Sequence, residues 1–256
     1  MTATASAARP AKKQRLDALL VERGLAPGRD RARALVLARE VTVDGRLALR
    51  PAEPVAPDAA IEVKQGPRFV SRGGDKLDHA LGRAGVDVRG LRCLDLGAST
   101  GGFTDCLLQR GAARVVAVDV AYGELAARLR DDPRVEVVER TNARDFGPLD
   151  PPADIGVMDV SFISAATVLP ALARSVRPGG DLFVLVKPQF EAGREQVGKG
   201  GVVRDAVVHA SCVAQVALAA IESGLRVRGV VRSPLLGPAG NREFFLWLRV
   251  PEAAAS

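Results

Sequence analysis

Two carboxylates and a run of glycines stand where an open α/β sheet would hold an adenosine-containing ligand. Leu94–Leu96 reads as the end of a buried strand, Gly97–Phe103 (GASTGGF) as a glycine turn, and the residues after it as a helix. Asp95 lies two positions before the first glycine. Asp119 lies near the end of the next apolar run, Arg114–Val120 (RVVAVDV). Glycine lets the backbone approach a ligand, and an acid after the second strand accepts hydrogen bonds from ribose hydroxyls. The candidates are Asp95, Gly97, Ala98, Ser99, Thr100, Gly101, Gly102, Phe103 and Asp119. Asp145, after Asn142-Ala143-Arg144, either touches the adenine or caps a turn. A turn that binds nothing accounts for Gly97 but not for Asp119.

The spacing departs from the dinucleotide fingerprint G-x-G-x-x-G. The pattern D-x-G-x-S-x-G-G instead resembles the S-adenosylmethionine loop of class I methyltransferases. Enzymes of that class acting on exocyclic amines share an Asp/Asn-Pro-Pro-aromatic sequence after the fourth strand. This chain has Asp159-Val160-Ser161-Phe162 there. Methylation at pyrimidine C5 needs a cysteine nucleophile, and none of Cys93, Cys106 and Cys212 lies at a strand's carboxyl end. An oxygen acceptor is left. A ribose 2′-hydroxyl is a weak acid and must be aligned for in-line attack while its proton is removed. A lysine serves as base only where burial and cationic neighbours lower its pKa. Lys187 closes the apolar run Leu182–Val186 and precedes Pro188; it acts as base or only orients the hydroxyl. Asp159 ends strand four, Lys76 opens a helix before the sheet, and Glu243 begins the last strand. Two lysines and two carboxylates could converge on one sugar.

Positioning these groups requires a sheet. The pattern reads helix 75–84, strand 92–96, helix 102–110, strand 114–119, helix 123–130, strands 135–138 and 154–158, helix 165–175, strand 181–186, helix 205–222, and strands 226–231 and 243–249. Such alternation predicts an α/β fold with a mostly parallel, seven-stranded sheet, helices on both faces and ligands at the carboxyl ends of the strands. Residues 14–64 read as a small α+β unit. A helix ended by Gly24 and a second capped by Asp30 precede strand Val41–Val43, the Asp44-Gly45 hairpin turn and strand 60–63. Residues 1–13 read as a disordered basic tail, 65–74 as a Gly/Arg linker and 75–252 as the catalytic domain.

Charge separates the same regions. Residues 1–72 carry 14 Lys/Arg and 8 Asp/Glu, and residues 73–256 carry 22 of each, so the whole net charge of +6 lies in the head. A basic head on a neutral body suggests that the head meets a polyanion. The apolar share of 47% suits a packed core. No run approaches the ~18 apolar residues of a membrane span, and the N-terminus leads into no secretory apolar region. The cysteines form no disulfide or zinc pattern and read as buried thiols of a cytoplasmic protein. His79 and His209 have no metal-ligand spacing and read as structural, and Trp247 and Phe244–Phe245 as core. Lys199 and Arg204 contact RNA or cover the cofactor.

SRGGDK (71–76), LDLGASTGGFTD (94–105), DVSFIS (159–164), VKPQFE (186–191), GKGGVVRD (198–205) and GNREFFLWLR (240–249) together resemble the TlyA family of ribosomal RNA 2′-O-methyltransferases. Members also carry the name haemolysin A. They join an S4 RNA-binding domain to a class I, Rossmann-like methyltransferase domain similar to that of the FtsJ/RrmJ enzymes. By motif, the family's Lys-Asp-Lys-Glu tetrad falls on Lys76, Asp159, Lys187 and Glu243. Its cofactor loop falls on Asp95–Phe103 and its second-strand acid on Asp119. The S4 resemblance implies that Arg29, Arg31, Arg33 and Arg39 contact structured RNA through shape and phosphates. The resemblance further implies S-adenosyl-L-methionine as cofactor, no metal, no membrane partner, and cytidine ribose in ribosomal RNA within ribosomal subunits as substrate. Soon after Arg249 the sequence stops, as in a shorter family type that acts on the large subunit only. Two rivals make other demands. A membrane-active haemolysin needs an apolar span or a strongly amphipathic exposed helix, and neither is found. A non-catalytic RNA-binding or ribosome-assembly factor would show a broken tetrad, and all four positions are filled.

Overall fold

Short apolar stretches bounded by glycine and charge become strands here, and amphipathic stretches become the helices that cover them. The computed structural model describes residues 12–64 and 66–252. Most of the tail expected at 1–13 therefore lies outside the described residues. The chain divides into two compact units, Met1–Gly66 and Pro67–Ser256.

In the first unit, β1 (Gln14–Arg15), α1 (Leu16–Glu22), α2 (Arg29–Leu37), β2 (Val41–Val43), β3 (Arg46–Leu47), β4 (Pro54–Val55) and β5 (Ile61–Val63) follow in order. Leu16, Leu19 and Leu20 of α1 pack with Ala32, Leu35 and Val36 of α2 over Val41 and Val43. β2 pairs antiparallel with both β3 and β5. Asp44 and Gly45 carry the two positive φ angles that a two-residue hairpin turn needs. The expected Asp30 cap is not made: extended Gly28 precedes α2, and Asp30 sits in the first helical turn, where its charge suits the helix dipole. The β1–β4 pair spans two residues in each strand, too short to leave a periodic signal.

The second unit runs α3 (Arg72–Ala84), β6 (Arg92–Leu96), α4 (Gly102–Gln109), β7 (Arg114–Val118), α5 (Ala127–Arg130), β8 (Val135–Val138), β9 (Ala153–Met158), α6 (Ala165–Arg174), β10 (Val176–Val186), α7 (Pro188–Glu191), α8 (Ala206–Glu222), β11 (Arg226–Arg232) and β12 (Phe244–Arg249). They form a seven-stranded sheet in the order β11-β12-β10-β9-β6-β7-β8. β12 is antiparallel to both neighbours, and the other pairs are parallel. Strand residues alternate between two apolar layers. Cys93, Val115, Ile155 and Phe183 meet α3 and α4 on one face, and Leu94, Val116, Leu182 and Leu246 meet α6 and α8 on the other. This is the doubly covered α/β architecture that alternation predicts.

Three boundaries differ from the sequence reading. Part of the expected linker 65–74 is core: Phe69 is buried, Gly74 leaves room for its ring, and α3 already starts at Arg72 behind the Ser71 cap. The helix expected at 123–130 shrinks to Ala127–Arg130, because Gly123 takes φ +77° and the Ala126 amide donates to Thr100 instead of continuing a helix. β10 starts at Val176, its pairing with β9 shifting register before Asp181.

Candidate active site

The glycine turn is shaped by what presses on it. Gly97 has φ +86°, and a Cβ there would lie 2.4 Å from the Asp159 carbonyl oxygen. Gly101 has φ +96°, and a Cβ there would meet Leu129 at 2.3 Å. Only glycine fits such positions without strain. Asp119 spends both oxygens on backbone amides, accepting from Ser99 N at 2.7 Å and from Ala121 N at 2.8 Å. It therefore fixes the turn to the end of β7. A cavity of about 500 Å³ opens here, lined by Gly97, Ser99, Asp119, Asn142, Phe162 and Ile163 among others. Its floor is backbone and glycine at the carboxyl ends of β6, β7 and β9, where open α/β sheets bind ligands.

Not every candidate of the loop lines this space. Asp95 lies below it, fully buried, its Oδ2 accepting from Thr104 Oγ1 at 2.7 Å and its Oδ1 without a hydrogen-bond partner. Burial pushes its carboxyl up to about 7. Phe103 tilts against Phe245 with ring centres 5.8 Å apart. Asp145 is exposed, its amide donating to the Asn142 carbonyl, and it is absent from the cavity lining that Asn142 joins. The side chain that accepts within this turn is that of Asn142, from Arg144 N at 3.0 Å.

A second cleft adjoins, sharing Gly97, Ser99, Asp159 and Ser161, and is also lined by Arg72, Gly73, Lys76, Ala98, Thr100, Gly102, Phe103, Lys187 and Pro238. Two ion pairs order it. Lys187 Nζ lies 2.6 Å from Asp159 Oδ1 and donates to Ser161 Oγ at 2.8 Å. Lys76 Nζ lies 2.6 Å from Glu243 Oε2, with side-chain exposures of 8% and 1%. Neighbouring strands deliver the first pair, since Asp159 follows β9 and Lys187 follows β10. Glu191 of α7 accepts from Ser164 Oγ and Ala165 N at 2.6 and 2.7 Å, tying the segment after Asp159 to the segment after Lys187. The second pair joins the start of α3 to the start of β12. A polar cleft of this kind can hold and deprotonate a hydroxyl beside a nucleoside-sized cavity.

Comparison with known proteins decides the family. The description FtsJ-like methyltransferase matches residues 69–250, and S4 domain matches residues 14–61. The chain belongs to the FtsJ-like methyltransferase family. Within the family it is 52% identical over 243 residues to the 16S/23S rRNA (cytidine-2′-O)-methyltransferase TlyA of Mycobacterium tuberculosis, covering 93% of this chain and 91% of that one. It is 37% identical to Hemolysin A of Brachyspira hyodysenteriae, covering 90% and 97%. The solved structure of a hemolysin-named protein of Streptococcus thermophilus matches with TM-score 0.70 at 40% identity, covering 95% and 92%.

In this FtsJ-like methyltransferase the four tetrad positions form two ion pairs, and Lys76, Asp159 and Lys187 line one cleft. Phe162 is the residue that sequence reasoning passed over. It is 90% exposed, sits at φ +63°, lines the cavity and packs against Phe190 at 5.1 Å. A bulky side chain held in the left-handed region at a cleft is the mark of a functional constraint. A phenylalanine between Ser161 and Ile163 gives no such signal in sequence. Lys199 and Arg204 are exposed and line neither space, in a segment pinned by Asn241, whose side chain bonds Val203 N and Gly201 O. His209 is buried with Nε2 2.9 Å from the Val203 carbonyl, and all three cysteines are buried and free. Phe245 is core, and Trp247 stacks on Phe183 and donates to Asp181. In the S4 unit Arg29, Arg31, Arg33 and Arg39 are exposed, but Arg33 also reaches buried Asp17 at 3.4 Å. Arg15 first and Arg33 second hold the Asp17 carboxyl down at about 2. Among the described residues no group of His, Cys, Asp and Glu is placed to hold a metal, and no helix is long and apolar enough to cross a membrane.

Proposed function

We propose that the chain transfers the methyl group of S-adenosylmethionine to the 2′-hydroxyl of a cytidine in ribosomal RNA. The observation that carries the reading is the Lys187–Asp159 pair, seated where the cavity at the glycine turn meets the second cleft. S-adenosylmethionine fits the first space: Gly97 lets the chain turn tightly against the Asp159 carbonyl at its wall, and Asn142 and Ser99, with Asp119 fixing the turn, offer polar groups around it. It supplies a methyl group on a positively charged sulfur. Everything else is the work of this chain. Gly97–Phe103 places backbone around the cofactor. Lys187, anchored by Asp159 and Ser161, would hold the 2′-oxygen toward the methyl group, and an Asp159 oxygen would take the hydroxyl proton as the new O–C bond replaces the cofactor's S–C bond and leaves its sulfur neutral. Lys76, set by Glu243, borders the same cleft. Phe162 presents a face on which a flipped base stacks. Arg29, Arg31 and Arg39 hold phosphates of folded RNA.

The relatives named for cytidine 2′-O-methylation support the choice of acceptor. The test is transfer of labelled methyl from S-adenosylmethionine to unmodified small subunits, large subunits and whole ribosomes, with the labelled nucleotide mapped. Label on a cytidine ribose is the expected result. Cofactor binding without label on any subunit overturns the reading.

A further inference from the structure

The catalytic unit is nearly neutral, residues 73–256 carrying 22 Lys/Arg and 22 Asp/Glu, yet its arginines are not evenly neutralised. Many are held by carboxylates, as in the pairs Arg89–Asp87, Arg110–Asp78, Arg130–Glu139, Arg134–Asp132 and Arg177–Asp154. Arg83, Arg228 and Arg232 make no ion pair or hydrogen bond among the described residues, and all three are exposed. They line one groove of about 620 Å³ between α3 and the open edge strand β11, with His79 and Trp247 and with no acidic residue in its lining. Trp247 is covered on its ring by the Arg228 guanidinium at 5.5 Å and gives its N–H to Asp181. The groove therefore offers charge rather than a free aromatic face.

The groove and the catalytic cleft share two elements, α3 and the segment after β11, but no lining residue. Arg72, Lys76, His79 and Arg83 recur at helical spacing and share one stripe of α3. The first two line the cleft and the last two line the groove. The segment after β11 does the same, with Ser233 and Pro234 in the groove and Pro238 in the cleft. From Arg72 to Arg83 the stripe is about 17 Å long at the helical rise, which spans several nucleotide steps.

We propose that the α3–β11 groove binds the phosphate backbone of the RNA strand that flanks the methylated nucleotide. The inference rests on the reading of the chain as an RNA methyltransferase. Unpaired guanidinium groups on a low-charge body release counterions when they meet phosphate, and paired ones already carry their counter-charge.

The test uses the full chain with Arg83, Arg228 and Arg232 changed together to Gln, and separately to Lys. An Arg89→Gln/Arg134→Gln variant removes two arginines already held by carboxylates. An A-form RNA hairpin is titrated across a salt series, and methyl transfer to ribosomal subunits is measured with it. The Gln variant is expected to lower the slope of log affinity against log salt by about 2–3, roughly one per phosphate held. It raises KM for subunits about tenfold with kcat and cofactor affinity unchanged, as expected when phosphates are no longer gripped. The Lys variant restores the slope, because a point charge suffices for phosphate, and the Arg89/Arg134 variant leaves it alone. A Gln variant with unchanged slope and KM overturns the groove while leaving the methyltransferase reading intact. A parent that labels no subunit but binds the hairpin with a slope the Gln variant lowers overturns the substrate and keeps the groove.

Discussion

Lys187 and Lys76 are each 2.6 Å from a carboxylate, but they are not equivalent. Asp159 is 23% exposed, so its charge can be hydrated if the lysine is removed. Glu243 and Lys76 are enclosed, and removing one partner of a buried pair costs about 3–5 kcal/mol because the other charge is stranded. Lys187→Ala is therefore expected to abolish methyl transfer with a melting temperature close to the parent's and with cofactor titration unchanged, whereas Glu243→Ala loses activity and melts well below it. Retained transfer in Lys187→Ala would remove that residue from the chemistry. Asp95 makes a different prediction. Burial raises its carboxyl to about 7 in the folded chain, against about 3.9 when unfolded. Between those values the folded state holds a proton that the unfolded state has released, so stability falls as pH rises through this window and levels off above it. Asp95→Asn keeps the acceptor for Thr104 without the titration. Its stability relative to the parent should rise from pH 4 to pH 8 in paired thermal melts; a constant difference would refute the assignment.

At the scale of elements, the strand-to-helix turn between β6 and α4 is the most tightly specified piece. Gly97→Ala places a methyl group against the Asp159 carbonyl and forces a left-handed backbone, which costs about 1–2 kcal/mol before any clash. The variant is expected to melt lower and to lose cofactor affinity in the same titration; normal affinity would mean that the turn does not cradle the cofactor. This turn was readable from sequence because glycine spacing and a following acid report backbone geometry directly. The strands were readable for a similar reason: Leu182–Val186 and Val115–Val118 are too apolar to lie anywhere but inside. Two features were not. The pairing of Lys76 with Glu243 rather than with the other two groups depends on β12 inserting beside β10, which no local pattern encodes. Phe162 gave no sign, since its exposure comes from a single backbone angle. Conversely, the helix expected at 123–130 was over-read, because apolar spacing there serves to pack Leu125 and Leu129 against the turn rather than to build a continuous helix.

The molecule divides its labour by charge as well as by fold. All of its net positive charge lies in residues 1–72, and in the S4 unit Arg29, Arg31 and Arg39 stand clear of carboxylates among the described residues. Arg29→Gln/Arg31→Gln/Arg39→Gln should lower the salt slope of RNA binding by about one for each phosphate released from its arginine, without changing cofactor affinity. An unchanged slope would place the RNA-binding surface elsewhere. The clamp between Lys76 and Glu243 has a consequence for cooperativity. The two residues are 167 positions apart, so the pair cannot exist in any partly assembled state that lacks either the first helix or the last strand of the catalytic unit. Methyl transfer is thereby an integrity gauge for that unit. Residual activity during heating should disappear along the same curve as secondary structure, with one midpoint, and a half-assembled intermediate would be silent rather than promiscuous.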